Sequence, residues 1–280
     1  MMFMFGHSTE KPFSDRGAIE TDRKRIIITG GTEGIGRAIS EELSSDGHEV
    51  AICARTQERL DELRGEHEDI VAWRVDLSDR HAAAGFVRES IAELDGLDVL
   101  ILNAAATGMK EGPEYVFKVN QVAQVAMTRE AVWALKHNHG RVVFLSSSAK
   151  NIEGAESYGA SKKRMEEWLR EFSERPESEG IGIFSVIPGS CDTRMHQDIL
   201  KYGSGAVRER TTEIIRKGAL RDPQTVGKII SKMALSGMKF NPETGEYDIP
   251  IGQCEVVMIS EENIKAESEE GPDLSDARRA

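Results

Sequence analysis

Tyr158 and Lys162 stand four residues apart in the run Tyr158-Gly159-Ala160-Ser161-Lys162. On a helix that spacing puts both side chains on one face, with the ammonium beneath the phenol. A phenol is a poor acid–base at its ordinary pKa of about 10, and a nearby ammonium favours the phenolate. Such a pair can give a proton to a carbonyl oxygen as hydride arrives, or remove it in the reverse direction. A YxxxK run also arises on helices by chance, so its companions matter. Ser146-Ser147-Ser148 lies 10 to 12 residues upstream. Far earlier, Thr29-Gly30-Gly31-Thr32-Glu33-Gly34-Ile35-Gly36 offers a turn in which glycine lets a pyrophosphate approach the N–H groups of a helix N-terminus. A Gly-rich turn can also exist without a ligand. Its position between a first strand and a first helix argues for the phosphate.

The elements that must position these residues read as an alternation. Short β-rich runs occur at Ile26–Thr29, Val50–Ala54, Ile70–Val75, Val99–Leu102, Val142–Leu145 and Ile183–Ile187. Helix-like spacing fills Gly34–Asp46, Thr56–Arg64, Asp79–Leu94, Pro113–His137 and Tyr158–Arg175. This pattern implies βαβ units and a parallel sheet. Nearly continuous apolar strands imply helices on both faces. The expected fold is α/β, a three-layer Rossmann fold with a doubly wound parallel sheet in a single domain over 25–260. Residues 1–24 read as a flexible extension and 261–280 as a disordered acidic tail. Residues 189–221, rich in Gly, Arg, Thr and Ser with one short helix near Arg208–Lys217, read as a substrate lid. A helix resumes at Pro223–Leu235, with Asp222 as its N-cap. Residues 246–259 can add one or two closing strands.

The formal net charge of −12 argues against nucleic acid or an anionic membrane as the main partner. Cys53, Cys191 and Cys254 are widely spaced and contain no CxxC pair, which argues against a structural zinc and for a reducing compartment. No metal is expected. No apolar run approaches the roughly 20 residues that span a bilayer. These features read as a cytoplasmic protein acting on a small molecule.

The TGxxxGxG spacing resembles the short-chain dehydrogenase/reductase family, and further motifs follow in that family's order over about residues 25–250. The resemblance implies cofactor contacts from Gly30, Thr32, Glu33, Gly34, Ile35 and Gly36. The second strand ends Ala51-Ile52-Cys53-Ala54-Arg55. It lacks the carboxylate that holds a ribose 2′-hydroxyl, and Arg55 is placed to pair with a 2′-phosphate, so NADP(H) is the expected cofactor. Glu33 cuts against this, because many NADP-preferring relatives carry a basic residue there. By the same resemblance Asp76, beside Leu77, holds the adenine amino group, and Asn103-Ala104 passes close to the cofactor. Pro188-Gly189 and Thr193 resemble the PGxxxT motif that contacts the nicotinamide carboxamide. Tyr158 and Lys162 become acid–base and ribose ligand. Ser147 becomes the substrate-oxygen donor, and Asn120 supports a proton-relay water.

The run Asp192–Gln197 is similar to the branch containing sepiapterin and benzil-type diketone reductases, in which a late acid such as Asp248 would anchor substrate. Basic residues Arg194, His196, Lys201, Arg208 and Arg210 leave room for an acidic substrate. The leading expectation is NADPH-dependent reduction of a small ketone or diketone. The alternatives are an NAD-dependent alcohol dehydrogenase and a non-catalytic nucleotide sensor. The family also implies a homodimer or homotetramer formed through the helices at about 113–137 and 157–175.

Overall fold

The computed structural model describes residues 23–236, 239–241, 246–248 and 254–269. The expected N-terminal extension lies almost wholly outside the described residues, as does the chain beyond 269. Strands β1 (Arg25–Thr29), β2 (Glu49–Ala54), β3 (Val71–Arg74), β4 (Val99–Leu102), β5 (Arg141–Leu145) and β6 (Gly182–Ile187) form where the apolar runs predict, shifted by no more than one residue at either end. With β9 (Glu255–Met258) they make a seven-stranded parallel sheet in the order β3-β2-β1-β4-β5-β6-β9. A separate antiparallel pair joins β7 (Lys239–Asn241) to β8 (Glu246–Asp248).

Both faces of the sheet are covered. Ile26 and Ile28 of β1 pack with Leu43 and Ile230 on one side, while Ile27 packs with Phe86, Met127 and Phe172 on the other. Alternation along a strand sends neighbours to opposite faces, so an unbroken apolar run is what two covered faces require. The first layer holds α1 (Gly34–Ser45), α2 (Gln57–Glu66) and α9 (Pro223–Leu235). The second holds α3 (Arg80–Glu93), α5 (Gln124–His137) and α6 (Glu156–Ser173). Asp79 and Asp222 cap α3 and α9 by accepting from backbone N–H groups at 2.8 Å.

Three expectations need correction. The helix expected at 113–137 is not uniform: α4 (Pro113–Phe117) passes into a π-helical turn at Lys118–Ala123 before α5 begins. The lid contains two helices, α7 (Arg194–Tyr202) and α8 (Gly205–Arg216), rather than one short one. They are pinned because Val207 and Ile199 bury themselves against Ala155, Ile152 and Met109. The acidic tail expected to be disordered from 261 begins instead as α10 (Glu261–Glu269). Glu261 pairs with Arg221 at 2.6 Å, Glu267 pairs with Lys232 at 3.0 Å, and Ile264 packs on the core. Partners far away in sequence therefore outweigh the local charge repulsion. Among the described residues no helix is long and apolar enough to cross a membrane.

Candidate active site

The sheet order reverses between β1 and β4, and a crevice opens there at the carboxyl ends of the strands, the usual ligand position in open α/β sheets. A cavity of about 630 Å³ runs from the end of β2 past the glycine turn to Tyr158 and the lid. At the turn, Gly34 has φ +54. Gly36 has no room for a side chain, since an added Cβ would lie 2.2 Å from the Gly30 carbonyl oxygen and 2.4 Å from Asn103 Nδ2. Asn103 donates to the carbonyls of Thr29 (2.8 Å) and Gly30 (3.1 Å). The Thr29 hydroxyl accepts from the N–H groups of Asn103 and Ala104, both at 3.0 Å. These bonds lock the turn after β1 to the segment after β4. The result is a tight, glycine-rich turn at the N-terminus of α1 that borders the cavity, which suits a dinucleotide pyrophosphate.

Of the residues read from sequence as cofactor contacts, Gly30, Thr32, Glu33, Gly34, Ile35, Arg55, Leu77, Asn103, Ala104, Pro188, Gly189 and Thr193 line this cavity. Gly36 and Asp76 do not line it: Gly36 is buried in the turn, and Asp76 is exposed at the cavity's edge, where its carboxylate accepts from the Tyr115 hydroxyl. Arg55 donates to the Tyr115 hydroxyl at 2.7 Å and lies 3.7 Å from Glu111. It does not carry the positive charge of this end alone. Arg59, four residues on along α2, also lines the cavity and is paired with Glu33. Glu33 pairs further with Arg194 of the lid at 3.5 Å. Sequence reading missed Arg59 and Tyr115. The i,i+4 spacing of Arg55 and Arg59 was a usable signal for the first; nothing local marked the second.

Ser147, Tyr158 and Lys162 share the cavity wall at the other end. Tyr158 opens the first turn of α6, and burial pushes its phenol above the ordinary value while the Ser147 hydroxyl pulls it back. This departs from the expected phenolate. Lys162 Nζ donates one hydrogen bond to the Leu145 carbonyl at 2.6 Å, keeps its other N–H groups for a ligand, and lies 5.7 Å from the centre of the Tyr158 ring. Lys162 is 1% exposed, and burial brings its pKa down to about 7, opposed by nearby Glu166.

That depression has a consequence for stability. In the unfolded chain the lysine keeps its proton up to about 10.5, whereas in the folded protein it releases it near 7. The unfolded state therefore binds more protons across that window, and stability should rise with pH there by at most about 1.4 kcal/mol per unit. Urea unfolding of the nucleotide-free protein, referenced to Lys162→Met, checks this between pH 6.5 and 9.5. A difference that stays flat would mean the ammonium is held charged in the fold.

Asn120 does not reach the cavity surface. It is fully buried in the π-helical turn. Its amide accepts from Ala106 N–H (2.7 Å) and donates to the Ala106 carbonyl and Ser161 Oγ, both at 2.9 Å. Through these bonds Asn120 fastens the segment after β4 to α6. Cys191 is buried, its thiol pushed up to about 12, as befits packing rather than nucleophilic work. Asp248 falls in β8, where side chains lie outside the described residues. Glu41, Glu66 and His67 come together elsewhere on the surface, but Arg37 already pairs with both carboxylates.

The comparisons agree with this architecture. The family model described as short chain dehydrogenase matches residues 24–202, and the chain belongs to that family of oxidoreductases, enzymes that work with a nicotinamide cofactor. It is 28% identical over 195 residues to the granaticin polyketide synthase putative ketoacyl reductase 1 of Streptomyces violaceoruber, covering 64% of this chain and 72% of that one. It is 26% identical over 198 residues to the NADP-dependent 3-hydroxy acid dehydrogenase YdfG of Escherichia coli, covering 66% and 80%. The fold is similar to a short chain dehydrogenase from Burkholderia cenocepacia J2315 solved in complex with NADP, with TM-score 0.66, 24% identity and coverage of 84% and 96%.

Proposed function

We propose that the protein reduces a small ketone or diketone to an alcohol with NADPH as donor. The observation that carries this reading is the convergence of Ser147, Tyr158 and Lys162 on the same cavity that the glycine turn borders. Ser147 would hydrogen-bond the substrate oxygen, and Tyr158 would deliver its phenolic proton to it. A phenol held in its neutral form suits that direction. Lys162 would hold the nicotinamide ribose, with Pro188, Gly189 and Thr193 orienting the ring. The reduced nicotinamide, when bound, supplies the hydride. Met109, Ile152, Met195 and Ile199 give the substrate end an apolar wall, which suits a compact carbonyl compound.

NADP(H) is supported by Arg55 and Arg59 at the adenosine end, by the lack of an acid at the end of β2, and by the NADP named for two of the similar proteins. One observation favours a second reading. The Glu33 carboxylate beside Arg59 could accept from a ribose hydroxyl, which would suit NAD and alcohol oxidation. Titration with NADPH and NADH, following nicotinamide fluorescence, separates the two. Much tighter NADPH binding is expected, and tighter NADH binding would overturn the cofactor assignment. Arg55→Asp should weaken NADPH far more than NADH; equal losses would remove Arg55 from the phosphate site. We also propose a homo-oligomer through α5 and α6, supported by Trp133, which is 77% exposed on α5. A monomer mass by light scattering would overturn it.

A further inference from the structure

Two side chains of the adenosine end were readable from sequence, Arg55 and Asp76. In the folded protein one other side chain touches both of them. Tyr115, in the first turn of α4, accepts from Arg55 Nη1 at 2.7 Å and donates to Asp76 Oδ1 at 3.4 Å. Its ring faces the guanidinium, with Arg55 Cζ 5.7 Å from the ring centre. Tyr115 also lines the cavity, near Leu77 and Ala104.

The chemistry of these three groups is that of a purine site. Asp76 is held ionised below the usual carboxylate range by hydrogen bonds from Ser78, the Arg55 charge and the Tyr115 hydroxyl, against the effect of burial. It can only accept, which fits an exocyclic amino group and not a carbonyl at the same place. Arg55 offers a flat cation and Tyr115 a flat aromatic ring, both surfaces on which a base stacks. The bond from Tyr115 to Asp76 is long, so an amino donor can compete for that carboxylate. Burial raises the Tyr115 phenol, so the ring remains neutral and adds no charge repulsion against the phosphates.

We propose that Tyr115 is a binding residue of the cofactor site, the aromatic surface that receives the adenine of the dinucleotide. This rests on the proposed nucleotide-binding function of the cavity. The role belongs to the ring and not to the hydroxyl, which separates it from a merely structural bridge between Arg55 and Asp76. Phenylalanine would preserve the surface, and leucine would fill the space without a flat face.

The test is fluorescence titration of the purified full chain and its Tyr115→Phe, Tyr115→Leu and Tyr115→Ala variants with NADPH and NADH. Displacement by 2′,5′-ADP and by nicotinamide mononucleotide probes the two ends separately. Tyr115→Ala and Tyr115→Leu should weaken NADPH, NADH and 2′,5′-ADP by about 10-fold, the scale of one base–aromatic contact. Tyr115→Phe should bind within about 2-fold of the wild type, and nicotinamide mononucleotide should be indifferent to all three. Unchanged NADPH binding by the leucine variant would overturn the assignment. So would a loss in the phenylalanine variant as large as in leucine, because the hydroxyl bridge would then be the cause. Equal losses for nicotinamide mononucleotide would also overturn it, as a general distortion of the cavity. A wild type that prefers NADH would refute the choice of NADP while leaving the Tyr115 ratios readable. A wild type that binds no dinucleotide would overturn both.

Discussion

Replacing Tyr158 by phenylalanine is expected to lower kcat by about 100- to 10,000-fold, the range a positioned general acid supplies. NADPH affinity should change little. The phenolic hydroxyl is the only atom removed, and the ring keeps its place on the cavity wall beside Ser147. The structure sharpens this prediction through the protonation state. Burial raises the phenol, and Lys162 lies 5.7 Å from its ring with its ammonium directed at the Leu145 carbonyl. A proton is therefore available on Tyr158 at neutral pH, as carbonyl reduction requires. Steady-state reduction of a diketone, with NADPH titration in parallel, reads the two effects separately. Retained turnover would remove Tyr158 from acid–base work. Lost turnover with an equal loss of NADPH binding would recast it as a cofactor contact only.

Gly36→Ala is expected to weaken NADPH binding by about 100-fold or more and to lower the melting temperature. Its Cβ would stand 2.2 Å from the Gly30 carbonyl oxygen and 2.4 Å from Asn103 Nδ2. Neither neighbour is a free side-chain end. The first is backbone, and the second is held by hydrogen bonds to Thr29 and Gly30. Relief must come from moving the turn away from the segment after β4, which spoils the phosphate cradle. Overpacking of this kind typically costs about 1–3 kcal/mol. Gly65→Ala makes the contrast, because nothing lies within 4 Å of a Cβ there and the residue sits within α2. That change should stabilise by up to about 1 kcal/mol through helix propensity. Thermal melts and NADPH titrations of both variants check the pair. Normal binding by Gly36→Ala would show that the turn tolerates a side chain.

Much of this site was open to reading because its signals are local. The Tyr158–Lys162 spacing and the glycines of the first turn each depend on a few residues in one element. Helical and strand periodicities report which face such residues share. The alternation of apolar runs with amphipathic stretches was enough to define the parallel sheet, since only covered faces explain strands like Val99–Leu102, buried at every position. The π-helical turn around Asn120 was not legible, because it inserts no break into the apolar pattern. The contact its Asn120 makes with α6, to Ser161, lies 41 residues away in sequence, beyond the reach of any local pattern.

By itself, then, the sequence determined the sheet, the order of the motifs and the chemistry of the groups offered to the cavity. Tertiary structure decided which charges meet. It set Glu33 between Arg59 and Arg194, joined Arg55 to Asp76 through Tyr115, and turned Lys162 toward the Leu145 carbonyl. It also stapled the lid, since Arg221 donates to the carbonyls of Pro188 (3.0 Å) and Ile259 (2.8 Å) while pairing with Glu261. The physical reason is range. Periodicity and turn chemistry act over a few residues, whereas a buried charge takes its partner and its pKa from whatever the closed fold brings within a few ångströms.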